Sequence, residues 1–212
     1  PECRVGLITF GTNVSVYELA SESIAKAYIL RGNREYTPGK VGELLGCTMR
    51  GPAAAHGQQQ QPAGPGQEVL DRFLLPVSEC SLVVESILDD LRKDPWPVPN
   101  DKRTARATGC ALSVATSLLH LALPRAGARA MLFTAGPCTL GPGAIVSRAK
   151  EDDIRSHQDL AKNAEPMYKP ACEFYASLAF PGHQPDPKKK KEKFKPTSAP
   201  CHIVDIFLFS LF

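Results

Sequence analysis

The chain has 212 residues and 43% hydrophobic content, enough for one domain with a real core and ordinary for a globular protein. Lys and Arg total 25 against 22 Asp and Glu, a net charge of only +3, so charge alone implies no nucleic-acid partner. The seven cysteines are scattered, without zinc-knuckle spacing, and their odd number closes no disulfide set, which predicts reduced thiols in a cytosolic protein.

In chain order, Val5 to Phe10 is β-branched and aromatic and predicts a strand. Gly11-Thr12-Asn13 supplies residues that tolerate positive φ, and Val14, Val16 and Leu19 continue a second strand, so residues 5–19 read as a hairpin. Ile24 to Leu30 predicts a third strand and Val41 to Leu45 a short helix. Ala53 to Gly66 is Gln-, Gly- and Pro-rich and predicts a disordered insert, which a surface loop tolerates at little closure cost. Ser78 to Lys93 predicts the clearest helix, with Val83, Val84, Ile87, Leu88 and Leu91 on one stripe. Full burial of that stripe would contribute roughly 7–15 kcal/mol before entropy. Pro95 ends the helix, and Asp94 to Pro99 is forced out of helical geometry.

A second helix, from about Thr104 to Leu123, carries Leu112, Ala115, Leu118, Leu119 and Ala122, with His120 near its end. The stretch from Gly127 to Gly143 then organises the rest. Ala130 to Phe133 predicts a buried strand, and the Gly- and Pro-rich loop after it lies where ligands and partners gather in α/β sheets. Ile154 to Ala161 predicts a turn or short helix, and another helix starts near Pro170 with Cys172, Phe174, Tyr175 and Leu178. Pro181 to Pro200 is a second disordered insert, with the lysine run at 188–191, and Ile203 to Phe209 predicts a final strand. The apolar run from Ile203 to Phe212 is far short of the ~20 residues a membrane-crossing helix needs, and no signal peptide is evident. Pro1 and an apolar strand at Phe212 read as cut ends, which predicts a fragment that is insoluble or molten in isolation.

Five runs in order, VGLITFG (Val5–Gly11), DRFLLPVSEC (Asp71–Cys80), KDPWPVPNDKR (Lys93–Arg103), ATGCALSVA (Ala107–Ala115) and GARAMLFTAGPCTLGPG (Gly127–Gly143), closely resemble one trunk domain. It is that of the Sec twenty-three family, the GTPase-activating subunit of the inner COPII vesicle coat. The resemblance covers most of residues 1–179 and resumes at Ile203, leaving out both inserts. It implies an α/β fold, a von Willebrand A-like trunk with a mixed central sheet flanked by helices, its first strand falling before Pro1. On that reading 1–52 holds the early strands, 53–66 an insert, 67–180 the main helices and central strand, 181–200 an insert and 201–212 the final strand. The resemblance also implies partners: the cargo-binding sister subunit, a Sar-family small GTPase, and peripheral contact with the endoplasmic reticulum membrane from the cytoplasmic side. The family's zinc finger lies upstream of the trunk and its arginine finger in a later helical domain, so no cofactor is expected in this chain.

Two other readings compete. A von Willebrand A-type metal-dependent ligand-binding module needs oxygen ligands from three loops. Thr108-Gly109 fits the second, but Thr134-Ala135-Gly136 places a methyl where the third needs a carboxylate, and the first loop is absent. A nucleotide-binding α/β enzyme would use Gly136 to Gly143 as a phosphate cradle. That loop lacks the Gly-Lys-Ser/Thr ending, and Pro137 and Pro142 remove amide donors, so it reads as a structural turn. Trp96 reads as an indole packed on its own domain rather than a partner hook, and the lysine run as a solvated loop rather than a lipid contact. Arg103, Arg106 and Arg129 each have a local use in prospect, and none matches the arginine finger. No residue is assigned a catalytic, cofactor-binding or metal-ligating role.

Overall fold

Val14 and Val16 alternate with Ser15 and Tyr17, the period of two that buries one face of a strand. In the computed structural model, which describes residues 3–21, 26–47, 65–123, 127–152, 156–162, 166–179 and 203–208, they lie in β3 (Asn13–Glu18). This strand is the centre of an antiparallel sheet with β2 (Ile8–Phe10) and β4 (Lys26–Arg31). Phe10 stands opposite Val14 and Val14 opposite Leu30, so the predicted hairpin forms. Its first strand is interrupted, however. β1 (Arg4–Val5) turns away to pair with β5 (Leu75–Pro76), which answers the apolar Val5 with Leu75.

The hairpin turn differs from expectation in its cause. Gly11 does not adopt positive φ. It is small because Asp94 reaches in: the Thr12 amide donates to Asp94 Oδ2 at 2.5 Å, and a Cβ on Gly11 would collide with that carboxylate.

The helices are α1 (Pro38–Leu44), α2 (Pro65–Arg72), α3 (Val77–Asp89), α4 (Thr108–Ala122), α5 (His157–Ala161) and α6 (Tyr168–Ala179). Pro38 opens α1 at the first helical position, where its fixed φ suits the turn and its missing amide costs nothing. α2 was not foreseen, and it corrects the insert: Pro65 and Gly66 belong to a helix, while 53–64 lie outside the described residues. Gly66 is a contact residue, since a Cβ there would come within 2.6 Å of the Leu121 carbonyl oxygen on α4. α4 starts at Thr108 rather than Thr104, and α6 at Tyr168 rather than Pro170, which still falls in its first turn.

α4 is buried nearly all round, as an apolar helix at the centre of a domain must be. α1, α2, β2 and α6 pack on it. Two of its buried hydroxyls are satisfied locally: Thr116 donates to the Leu112 carbonyl at 2.9 Å and Ser117 to that of Ser113 at 2.7 Å. Ser113 instead ties the helix to the Tyr36 carbonyl at 3.1 Å. The main core joins α4 residues Cys110, Val114 and Leu118 with Val14, Val41 and Phe73.

Arg72, at the end of α2, holds four elements to this core. Its guanidinium grips both oxygens of Glu18, at 3.2 and 3.1 Å, and donates to Tyr28 Oη at 2.6 Å and the Leu45 carbonyl at 3.0 Å. It also lies 4.9 Å from the Phe73 ring centroid. The Arg72 hydrogen bonds hold the Glu18 carboxyl below its ordinary range, against the opposing effect of burial.

α3 departs from its predicted stripe. A smaller cluster of Leu19, Leu75, Cys80 and Ile87 covers its inner side, with Val83 and Val84 partly buried. Leu88 and Leu91 are half exposed and Leu82 is 78% exposed, because no second layer covers that side among the described residues. The helix also stops at Asp89, short of Lys93, and the chain is free for Asp94 to reach Thr12.

β6 (Arg129–Thr134) pairs in parallel with β7 (Ile203–Leu208), Arg129 opposite Ile203 and Thr134 opposite Leu208. The fold is α/β, with parallel and antiparallel pairings distributed over three sheets. β6 is not the fully buried strand expected: Leu132 and Thr134 are covered, while Met131 is 60% and Phe133 54% exposed. The run is apolar on both faces, and the structure covers one. Among the described residues no helix is long and apolar enough to cross a membrane. Ile24, the lysine run at 188–191 and the rest of the second insert lie outside the described residues.

Candidate interaction site beyond strand β6

β6 ends at Thr134, whose hydroxyl donates to the Gly136 carbonyl at 2.9 Å and turns the chain out of the sheet. The loop that follows is fastened to the segment preceding α4. Thr139 Oγ1 donates to the Thr104 carbonyl at 2.7 Å and accepts from the Arg106 amide at 3.0 Å. The amides of Thr139 and Leu140 both donate to the Arg106 carbonyl. Gly141 and Gly143 take positive φ, 76° and 69°, which a side chain would resist. At Gly143 the carbonyl accepts from Tyr175 Oη at 3.0 Å, anchoring the loop to α6. Burial raises the Tyr175 phenol well above its ordinary range, so it remains a donor.

Within the Gly136–Gly143 loop the amides of Thr139 and Leu140 both donate to the Arg106 carbonyl, so neither is free to face a phosphate. For the metal reading, Thr108 brings a buried hydroxyl with no protein partner, but Ala135 has no ligand atom. Among the described residues no group of three or more His, Cys, Asp and Glu is placed to hold an ion. Cys47, Cys80, Cys110 and Cys138 are buried, while Cys3 and Cys172 are exposed. Burial pushes the Cys110 thiol up to about 12, which makes it a core residue and not a nucleophile.

A second strip of loop structure borders the site. Residues 101–103 and 148–150 run antiparallel: Lys102 bridges Ala149, the Lys150 amide donates to the Asp101 carbonyl at 2.9 Å, and the Arg103 amide to the Arg148 carbonyl at 2.6 Å. Arg103 crosses this strip, donating to the carbonyls of Ser147 (3.0 Å), Ala149 and Asp152 (2.9 Å). Arg106 donates to the Pro137 carbonyl at 3.1 Å, and Lys150 Nζ to that of Asn100 at 2.9 Å. Lys102, Arg103, Arg106 and Lys150 thus line one groove of about 520 Å³, walled on its apolar side by Val98, Pro99, Pro137 and Val146.

The structure places the residues singled out in the sequence as follows. Arg103 and Arg106 have the local uses expected, as ties between loops. Trp96 corrects its reading: the indole is 57% exposed, because Asp94 fastens the Trp96 amide at 3.2 Å and the flanking prolines carry the side chain away from the core. Lys102 and Lys150 had not been singled out, and no periodicity links positions so far apart. Net charge does not mark them either: Asp94 and Asp101 accompany Lys93, Lys102 and Arg103, and Glu151, Asp152 and Asp153 follow Arg148 and Lys150.

Two of the runs that carry the resemblance, Lys93–Arg103 and Gly127–Gly143, line this groove together, and Asp94 of the first also reaches the turn at Gly11-Thr12. A family model described as the Sec23/Sec24 trunk domain matches residues 1–183. The chain belongs to that trunk-domain family. The trunk is accordingly a component of the COPII vesicle coat, from a family of coat scaffolds, and its setting is vesicle transport. In a scaffold, loops bound this tightly to a central helix present a fixed surface to neighbouring proteins.

Proposed function

We propose that this trunk belongs to the GTPase-activating half of the inner coat and pairs with the cargo-binding sister subunit on vesicles leaving the endoplasmic reticulum. The observation that carries this reading is the Lys93–Arg103 run together with the loop after β6. Both are characteristic of the activating subunit in the resemblance, and here they form one continuous, internally fastened surface. The parent protein stimulates GTP hydrolysis by a Sar-family GTPase, and its location is the cytoplasmic face of the endoplasmic reticulum and the vesicle coat, with peripheral membrane contact. The trunk itself is a scaffold rather than an enzyme. Arg103 and Arg106 support that view, since their guanidiniums are anchored against loops of the trunk itself and a finger must extend into the partner's active site. Ala135, at the position of the third metal ligand, supports a trunk without a cofactor of its own.

The test is pairing specificity. The chain, mixed with either the cargo-binding subunit or a second activating subunit, is run on a sizing column. Co-elution with the cargo-binding subunit alone is expected. Co-elution with the activating subunit instead would place the chain in the other half of the family.

A further inference from the structure

The groove lined by Lys102, Arg103, Arg106 and Lys150 is a feature that a scaffold does not require. Four cationic side chains converge on it, and no carboxylate lines it. Their recorded partners are the carbonyls of Asn100, Pro137, Ser147, Ala149 and Asp152. A carbonyl orients a guanidinium or ammonium without cancelling its charge. Among the described residues the ion pairs lie elsewhere, at Lys40–Glu43 and Arg72–Glu18. Arg103, Arg106 and Lys150 are therefore held in place by neutral partners, Lys102 is exposed beside them, and none of the four has an ion-pair partner among the described residues, an arrangement that lowers the ordering cost of binding an anion.

Shape narrows the ligand. Val98, Pro99, Pro137 and Val146 give the groove an apolar wall. A lone phosphate or a lipid headgroup would engage the charges and leave that wall wet. Pro99, on this rim, has no amide to donate to a neighbouring strand. Trp96, exposed in the same Pro-rich segment, adds an aromatic surface in the run that forms this rim. About 520 Å³ admits a few side chains and excludes a folded domain.

We propose that this groove docks an extended acidic peptide segment of a partner protein, its carboxylates on Lys102, Arg103, Arg106 and Lys150 and its apolar side chains on Val98 and Pro137. The proposal stands independently of which half of the coat the trunk belongs to.

The test uses the full chain and a fluorescein-labelled decapeptide of Glu, Pro and Val, against its counterpart with Gln at every Glu. Anisotropy should saturate with the Glu peptide and not with the Gln peptide. The double variant Lys102→Glu/Lys150→Glu should weaken binding about tenfold or more, as should raising salt from about 50 to about 300 mM. The charge-matched pair Lys162→Glu/Lys169→Glu, outside the groove, should stay within about twofold, the salt-screened effect of net charge alone. If the reversed variant does not fold, Lys102→Ser/Lys150→Ser and the salt series on the unmodified chain carry the same comparison. Equal binding of both peptides, equal loss in the charge-matched pair, or groove-dependent capture by phosphatidylserine vesicles without any peptide binding would each overturn the proposal.

Discussion

α3 and α4 are helices of similar length, both rich in Val and Leu, and they meet opposite fates. α4 is covered by α1, α2, α6 and the strand β2, and all but a few of its side chains are buried. α3 leans chiefly on β5, burying Cys80 and Ile87 while Leu82, Leu88 and Val77 face outward. An apolar stripe states what a helix can bury, and its neighbours decide what it does bury. The same lesson holds for β6, where Met131 and Phe133 are as apolar as Leu132 and are exposed.

The largest expected effect contrasts the two helices directly. Leu118→Ala empties a site at the heart of the core and should cost about 2–5 kcal/mol. Leu82→Ala should stay within about 0.5 kcal/mol. Urea denaturation of the two variants measures both, and equal losses would erase the distinction between the clusters.

A second contrast probes how closely α4 is approached. Gly66→Ala drives a methyl into the Leu121 carbonyl and should cost about 1–3 kcal/mol. Gly39→Ala in α1 meets nothing within 4 Å and should instead stabilise by about 0.4–1 kcal/mol through the unfolded chain. The same denaturation series reads the opposite signs.

Acid sharpens the comparison further. The Glu18 carboxyl is held below its ordinary value of 4.5, so the stability it contributes is complete above that value and is lost as pH falls through the lowered one. Glu18→Gln should cost about 0.5–1 kcal/mol at neutral pH, the scale of a partly screened ion pair, and should flatten the acid limb of a stability–pH profile. Asp94 bends the same way. Burial is its largest single influence and acts upward, yet the Thr12 and Trp96 amides together keep its carboxyl low.

The smallest effect is kinetic. Cys3 and Cys172 are exposed and should react with a thiol reagent at about pH 8 before any buried cysteine. Cys80, in the thinly covered α3 cluster, should follow ahead of Cys110 in α4, whose thiol burial has raised to about 12. Peptide mass mapping over time gives the order, and Cys110 reacting first would reverse the ranking of the two regions.

Much of this was legible in the residues themselves. The hairpin follows from the alternation of Val14 and Val16, α4 from the apolar positions Leu112, Ala115, Leu118, Leu119 and Ala122, and the turn at Gly141 and Gly143 from glycines that accept positive φ. These features depend on interactions within a few residues, which a sequence displays directly. The α/β class follows from their order, and the family from five long runs. What the tertiary structure alone decided concerns groups far apart in the chain. Gly66 looked like the end of a Gln/Gly/Pro tract and is a helix contact, because the Leu121 carbonyl arrives from another helix. Gly11 looked like a flexible turn and is an opening for Asp94. Arg72 gathers Glu18, Tyr28 and Leu45, and Lys102 pairs with Ala149 across an antiparallel strip that brings Lys150 to the same groove. No local pattern encodes such meetings, because burial and electrostatics act between whichever surfaces the fold brings together, and the sequence specifies only the surfaces.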